Sequence, residues 1–289
     1  MTSSARSQKA AVIEHLFEER WNEADRTLRD PVVSLEAVVE AIRAYNAQRE
    51  KGPALSDRNP ANFFKDFIRR RDRANANWPA TVARRGYTAR QRTGEGRCFE
   101  FVLMAAGQTE PFRPACPALD ADTPVHRIQS ASLPPLSRRL GRRDEPWLLQ
   151  VMIRLRILET HLVLESRKNI VYVDHLQMNV KLRDAEIDAL FLAVEERPDA
   201  PSQEVILTFE AKRSDDILAD QILSQVRAVF ALSAIPQDIV IPMAAKSAGP
   251  SRVQVVEFGG YHRSQAPDLP PLRVASQAIY ELVPPVHGI

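Results

Sequence analysis

Residues 205–212, VILTFEAK, alternate with the two-residue period of a strand, so Val205, Leu207, Phe209 and Ala211 share one face while Thr208, Glu210 and Lys212 share the other. The apolar face is that of a buried strand, and it commits the surrounding chain to a covered sheet. Upstream, residues 186–192 (EIDALFL) read as another strand, joined to the first by the polar, proline-containing connection 195–203 (EERPDAPSQ). Pairing the two runs as a hairpin brings Asp188 near Glu210 and Lys212. Two opposite charges leave one strand end side by side, with a further carboxylate across from them.

The elements around this hairpin set the fold class. A strongly periodic helix is predicted over 145–166, carrying Trp147, Leu148, Val151, Met152, Leu155, Leu158, Leu162 and Val163. Strands are predicted at 170–179, 186–194 and 205–212, then a helix at 217–232 opened by Asp215-Asp216, then strands at 238–243 and 253–258. A further strand at 278–283 would finish a sheet edge. The order makes residues 145–289 an α/β domain built on an α+β mixed sheet.

Residues 1–105 read as mainly helical. Helices are predicted over 9–29, over 35–49 with Ser34 as N-cap, and over 61–73, where Asn59-Pro60 opens the run and Phe63, Phe64, Phe67 and Ile68 form the core face. Two short strands around a glycine-containing turn within 86–103 predict a hairpin. Residues 106–144, rich in Pro, Ser and Arg and without a sustained period, predict a linker. Charge is uneven along the chain: residues 58–97 hold eleven Lys/Arg and three Asp/Glu, a net +8, whereas residues 146–289 hold fourteen and eighteen. Lys65, Arg69, Arg70, Arg71 and Arg73 load the outer side and end of the third helix, and Arg90, Arg92 and Arg97 load the hairpin. Such a cluster is either a polyanion footprint or a solvated surface.

Composition narrows the function classes. At 289 residues, 44% hydrophobic and 26% charged, the chain has room for two cores of ordinary size. No run of about 18 apolar residues is present to span a membrane, and the N-terminal stretch lacks the apolar centre of an export signal. The two cysteines, Cys98 and Cys116, have no CxxC spacing and the six histidines no paired spacing, so neither a disulfide framework nor a zinc site is indicated. No GxSxG, GxGxxG or P-loop occurs, which argues against a serine-nucleophile elbow and against nucleotide-driven work. A reducing, cytoplasmic setting is the expectation.

Two carboxylates with a lysine suit phosphodiester hydrolysis. The carboxylates hold a hard divalent cation through oxygen, leaving positions for water and a phosphate oxygen, while the lysine orients or deprotonates the attacking water. Asp188 followed by Glu210-Ala211-Lys212, set on the second and third strands of an α-βββ-α-β order, resembles the PD-(D/E)xK, restriction-endonuclease-like nucleases over about residues 145–258. Ile187 stands where the literal motif has proline. The resemblance implies Mg²⁺, with Mn²⁺ able to substitute, held by Asp188 and Glu210 and completed by Glu159 on the first core helix, with Glu165 as its competitor. It implies Lys212 acting on the water, a glutamine beside the metal centre, Gln221 or else Gln225, and a 5′-phosphate product.

Three helices and a basic hairpin resemble a winged helix-turn-helix domain, whose third helix would enter the major groove of double-stranded DNA while Arg90, Arg92 and Arg97 meet the backbone or minor groove. Together the two resemblances imply a prokaryotic type II restriction endonuclease, homodimeric because both strands of a palindromic site are cut, and needing no nucleotide. Two alternatives stay open. One is a modification-dependent, Mrr-like or repair nuclease, distinguished by cutting only methylated DNA. The other is a DNA-binding regulator with an inactive nuclease fold, distinguished by binding without cleavage.

Overall fold

The alternation at residues 205–212 becomes the middle of a large mixed sheet. In the computed structural model, residues 7–48, 53–92, 94–105, 107–182 and 185–289 are described, and the chain divides into two units, Met1–Arg113 and Pro114–Ile289.

The first unit runs α1 (Gln8–Arg20), β1 (Trp21–Asn22), β2 (Thr27–Leu28), β3 (Val32–Ser34), α2 (Leu35–Ala47), α3 (Phe63–Ile68), α4 (Arg71–Asn77), α5 (Ala80–Arg84), β4 (Tyr87–Gln91) and β5 (Arg97–Leu103). β3, β5 and β4 form an antiparallel sheet in that order, with β5 between the other two. Aromatic rings fill the core: Phe64 stacks on Phe99 at 4.7 Å between centroids, and Phe101 meets Phe17 edge-on at 5.1 Å. Ser34 caps α2 as expected, its hydroxyl accepting from the Ala37 N–H at 3.1 Å.

Two helices are shorter than their patterns imply. α1 stops at Arg20, where Trp21 turns extended to stack on Phe17, and β1 and β2 occupy the rest of the expected helix. The helix expected over 61–73 is a 3₁₀ turn (Pro60–Asn62) and then α3, broken at Arg70 before α4 begins. Residues 69–73 carry no apolar side chain to hold a continuous face. Beyond them, tertiary ties decide the path: Asn75 bonds both backbone groups of Phe112, and the Trp78 indole donates to the Tyr87 carbonyl at 3.1 Å.

The second unit contains β6 (Val125–Gln129), α6 (Pro135–Leu140), α7 (Glu145–Arg154), α8 (Ile157–Leu164), β7 (Ile170–Lys181), β8 (Glu186–Arg197), β9 (Ala200–Lys212), α9 (Ala219–Phe230), β10 (Ile239–Ser247), β11 (Arg252–Phe258), β12 (Tyr261–His262) and β13 (Val274–Val283). The sheet order is β6-β13-β11-β10-β9-β8-β7, with β12 beside β10. Among the described residues only β9/β10 and β6/β13 pair in parallel. Helix α9, the crossover between β9 and β10, covers one face through Leu223, Val226, Val229 and Phe230 packed with Ile206 and Val240. The other face buries Val205, Leu207, Phe209 and Ala211 under α7 and α8, through Leu148, Val151, Met152, Leu158 and Leu162. The α/β class with a mixed sheet is as expected.

Three local expectations fail here for identifiable reasons. The segment expected as a linker over 106–144 supplies β6 and α6 to the second unit, and just past the unit boundary Ala115 N donates to the Ile217 carbonyl in the loop before α9 at 2.7 Å. Its prolines conceal a strand of only five residues, too short for a period to register. The single helix expected over 145–166 is two, because Arg156 adopts a left-handed conformation (φ 51°) between α7 and α8. The connection expected at 195–203 is mostly strand: β8 and β9 continue pairing until Arg197 faces Ala200 across a two-residue turn.

Candidate active site

β8 and β9 pair antiparallel up to Ala189 opposite Phe209. One residue past that pair the backbone ladder gives way to a side chain: Asp188 Oδ2 accepts from the Ala211 N–H at 2.8 Å. This pins Asp188 at the strand end, on the sheet face that alternation assigns to Glu210 and Lys212. Lys212 Nζ lies 2.8 Å from Glu210 Oε1 and 4.0 Å from Asp188 Oδ2. The three residues foreseen as a group are brought together.

Glu210 is 1% exposed, and a carboxylate so buried needs donors on both oxygens. Helix α9 provides them. Gln225 Nε2 donates to Glu210 Oε2 at 2.6 Å and to the Glu186 carbonyl at 3.0 Å, and Gln221 Nε2 donates to Glu210 Oε1. Four residues apart, the two amides lie on one helical face. On β10, the residue in register with Glu210 is Ala244, whose small side chain leaves them room. Both candidate glutamines therefore reach the same carboxylate.

Glu159 does not join this group. It sits on α8, past the break at Arg156, and faces that arginine at 3.6 Å. Glu165 is engaged by His126 at 2.6 Å. The third acid near the site is Glu145, the first residue of α7, whose Oε2 lies 3.5 Å from Lys212 Nζ. Sequence reading missed it by treating α7 and α8 as one helix and looking along its length rather than at its first turn.

Burial, reinforced by the charge of Asp188, pushes the Glu210 carboxyl up to about 7 despite Lys212 and Gln225. Asp188 is also raised, chiefly by burial, against the pull of Lys212 and of the Ala211 N–H. For Lys212, burial favours the neutral amine, but Glu210 and Asp188 outweigh it and hold the ammonium above its ordinary range. The site is thus short of positive charge: one ammonium faces two carboxylates, the buried Glu210 and the part-buried Asp188.

Comparison with known protein families, with curated proteins and with solved structures finds no match to this chain.

Among the described residues no three His, Cys, Asp or Glu side chains converge on a common ion position. The donor set still fits a hard divalent cation. It is all oxygen, it is deficient in positive charge, and among the described residues no donor bonds Asp188 Oδ1. Asp188 and Glu210 would hold such an ion, with the half-exposed Glu145 rather than Glu159 able to approach it.

In the first unit, Lys65, Arg69, Arg70 and Arg73 are exposed on and between α3 and α4, while Arg71 pairs with Asp72 at 2.6 Å. The hairpin arginines are occupied. Arg90 and Arg92 both bind Glu100, at 2.9 and 2.6 Å, and Arg97 binds Glu95 at 2.7 Å. The two guanidiniums hold the Glu100 carboxyl below its ordinary range in spite of its burial.

Proposed function

We propose that this chain is a Mg²⁺-dependent double-stranded DNA endonuclease of the type II restriction class, with a restriction-endonuclease-like catalytic unit and a winged-helix-like DNA-binding unit. One observation carries the reading. Asp188, Glu210 and Lys212 come from two different strands, yet meet at one strand end in the spacing that the PD-(D/E)xK motif requires, beside two glutamines that a solvated edge would not need. The α-βββ-α-β order, with β10 parallel to β9 across α9, supports the same family. In the first unit, the order helix, strand, helices, hairpin, with β3 against β5, supports the winged-helix resemblance.

In this mechanism Asp188 and Glu210 would hold Mg²⁺, or Mn²⁺ in its place. The bound ion would polarise a phosphate oxygen and acidify a coordinated water. Lys212, kept protonated by its two carboxylates, serves as a donor that orients the attacking oxygen and offsets charge on the phosphate, rather than as the base. Gln221 and Gln225 fix the Glu210 carboxylate so that it faces the reaction with little reorganisation. Water adds to phosphorus and gives up a proton to solvent, the bond to the 3′ oxygen breaks and that oxygen takes up a proton, and the products are a 5′-phosphate and a 3′-hydroxyl. The exposed cations of α3 and α4 hold the duplex backbone, and a homodimer delivers one site to each strand.

The test is digestion of unmethylated and methylated phage DNA with Mg²⁺ or EDTA, beside Lys212→Ala. Discrete fragments that require both Mg²⁺ and Lys212, and an activity loss of at least about 100-fold in the variant, are expected. Cleavage confined to methylated DNA would move the chain to the modification-dependent class. Tight binding without cleavage of either DNA would make it a regulator on a nuclease fold.

A further inference from the structure

β10 runs parallel to the strand that carries Lys212, and the register sets Lys246 beside Lys212 just as it sets Ala244 beside Glu210. Residues in register leave a sheet on the same face, one strand spacing of about 4.8 Å apart. Two ammonium groups therefore end adjacent strands on the face that carries the carboxylates, a like-charge neighbourhood that costs stability unless each is balanced. Lys212 is balanced by Glu210. Lys246 has its own acid: its Nζ lies 2.7 Å from Asp216 Oδ1, in the loop between β9 and α9, with the two side chains 25% and 32% exposed. The pair borders the site itself. After burial, which pushes the Cys116 thiol up to about 12, the charges that act on that thiol are Lys246, Asp216 and Glu210.

We propose that Lys246 is a second phosphate-binding residue of this site, held by Asp216 until DNA displaces the carboxylate, and that it grips the phosphate next to the one that is cut. The proposal rests on the nuclease reading. The two lysines differ in what surrounds them. Lys212 is tied to a buried carboxylate and to two further acids, so it stays with the reacting group. Lys246 and Asp216 are 25% and 32% exposed, against 18% and 2% for Lys212 and Glu210, so water already reaches the pair and a phosphate oxygen can take the place of Asp216. Their placement on adjacent strands sets the two cations side by side toward consecutive positions of a bound strand.

The experiment measures binding of a short DNA duplex by fluorescence anisotropy in EDTA, as a function of salt, for the wild type, Lys246→Ala, Lys246→Arg and Asp216→Asn. Loss of one phosphate contact flattens the slope of log affinity against log salt by about 0.9, so the deficit of Lys246→Ala shrinks about 3.5-fold between 50 and 200 mM salt. Lys246→Arg keeps the wild-type slope. Asp216→Asn binds more tightly than the wild type at low salt, because Lys246 no longer has a competing anion. A purely structural pair would move the lysine and aspartate variants in the same direction, and thermal melts report that change. Wild-type binding with an unchanged slope in Lys246→Ala, or binding no tighter in Asp216→Asn, overturns the proposal and leaves the nuclease reading standing. No binding by the wild type overturns both. If Lys246→Ala does not fold, Asp216→Asn decides.

Discussion

Glu210 sets the energetic character of the site. Its folded value of about 7 lies above the ordinary 4.5, so its contribution to stability is present below about pH 4.5 and is lost as pH rises through about 7. The shift corresponds to something on the order of 3 kcal/mol. Glu210→Gln, which keeps the shape and removes the charge, is therefore expected to match the wild type near pH 5 and to melt above it at pH 8 in EDTA. Adding Mg²⁺ at pH 8 should raise the wild-type midpoint and leave the variant unmoved. A variant that melts below the wild type at pH 8 would show that the ion pair with Lys212 outweighs the cost of burial. Asp188, Glu210 and Lys212 were legible in the sequence because strand alternation assigns Glu210 and Lys212 to one face and hairpin pairing brings Asp188 beside them. Glu145 was not, because its approach to Lys212 depends on where α7 starts in space.

Helix lengths were the least legible elements, and α7 and α8 show why. Apolar spacing continues across Leu155 and Arg156, since both helices cover the same sheet face, so the period carries no trace of the break. Arg156 occupies a left-handed conformation that favours glycine by about 1 kcal/mol. Arg156→Gly should thus raise the melting temperature by about 2–4 °C, since the ion pair it gives up with Glu159 is weak. Cleavage should be unchanged, because Glu159 faces Arg156 and not the carboxylates. Loss of activity in this variant would return Glu159 to the site. The strands were read more accurately than the helices, because burial on both faces of β8, β9 and β10 leaves little freedom in register.

For the whole chain, the boundary at Arg113/Pro114 separates two outcomes that a linker over 106–144 would not. A fragment of residues 114–289 keeps β6 on β13 and keeps the Ala115 backbone bond to Ile217. One of residues 145–289 loses both, and with them the Arg138 carbonyl that receives the His287 N–H at 2.9 Å. The longer fragment should melt cooperatively and retain weak Mg²⁺-dependent nicking, while the shorter one should show no cooperative transition by circular dichroism. Equal melting of the two would restore the linker. The large sheet also ends unequally. β6 is five residues long, whereas β7 is twelve, with Val171, Tyr172 and Leu176 about half exposed along it. Among the described residues β7 pairs only with β8, so its outer row of amides and carbonyls is a template for strand addition. Anyone concentrating this protein for crystals or spectroscopy would meet that edge first, and lysine at Val171 or Leu176 is where a soluble, well-behaved sample would be engineered.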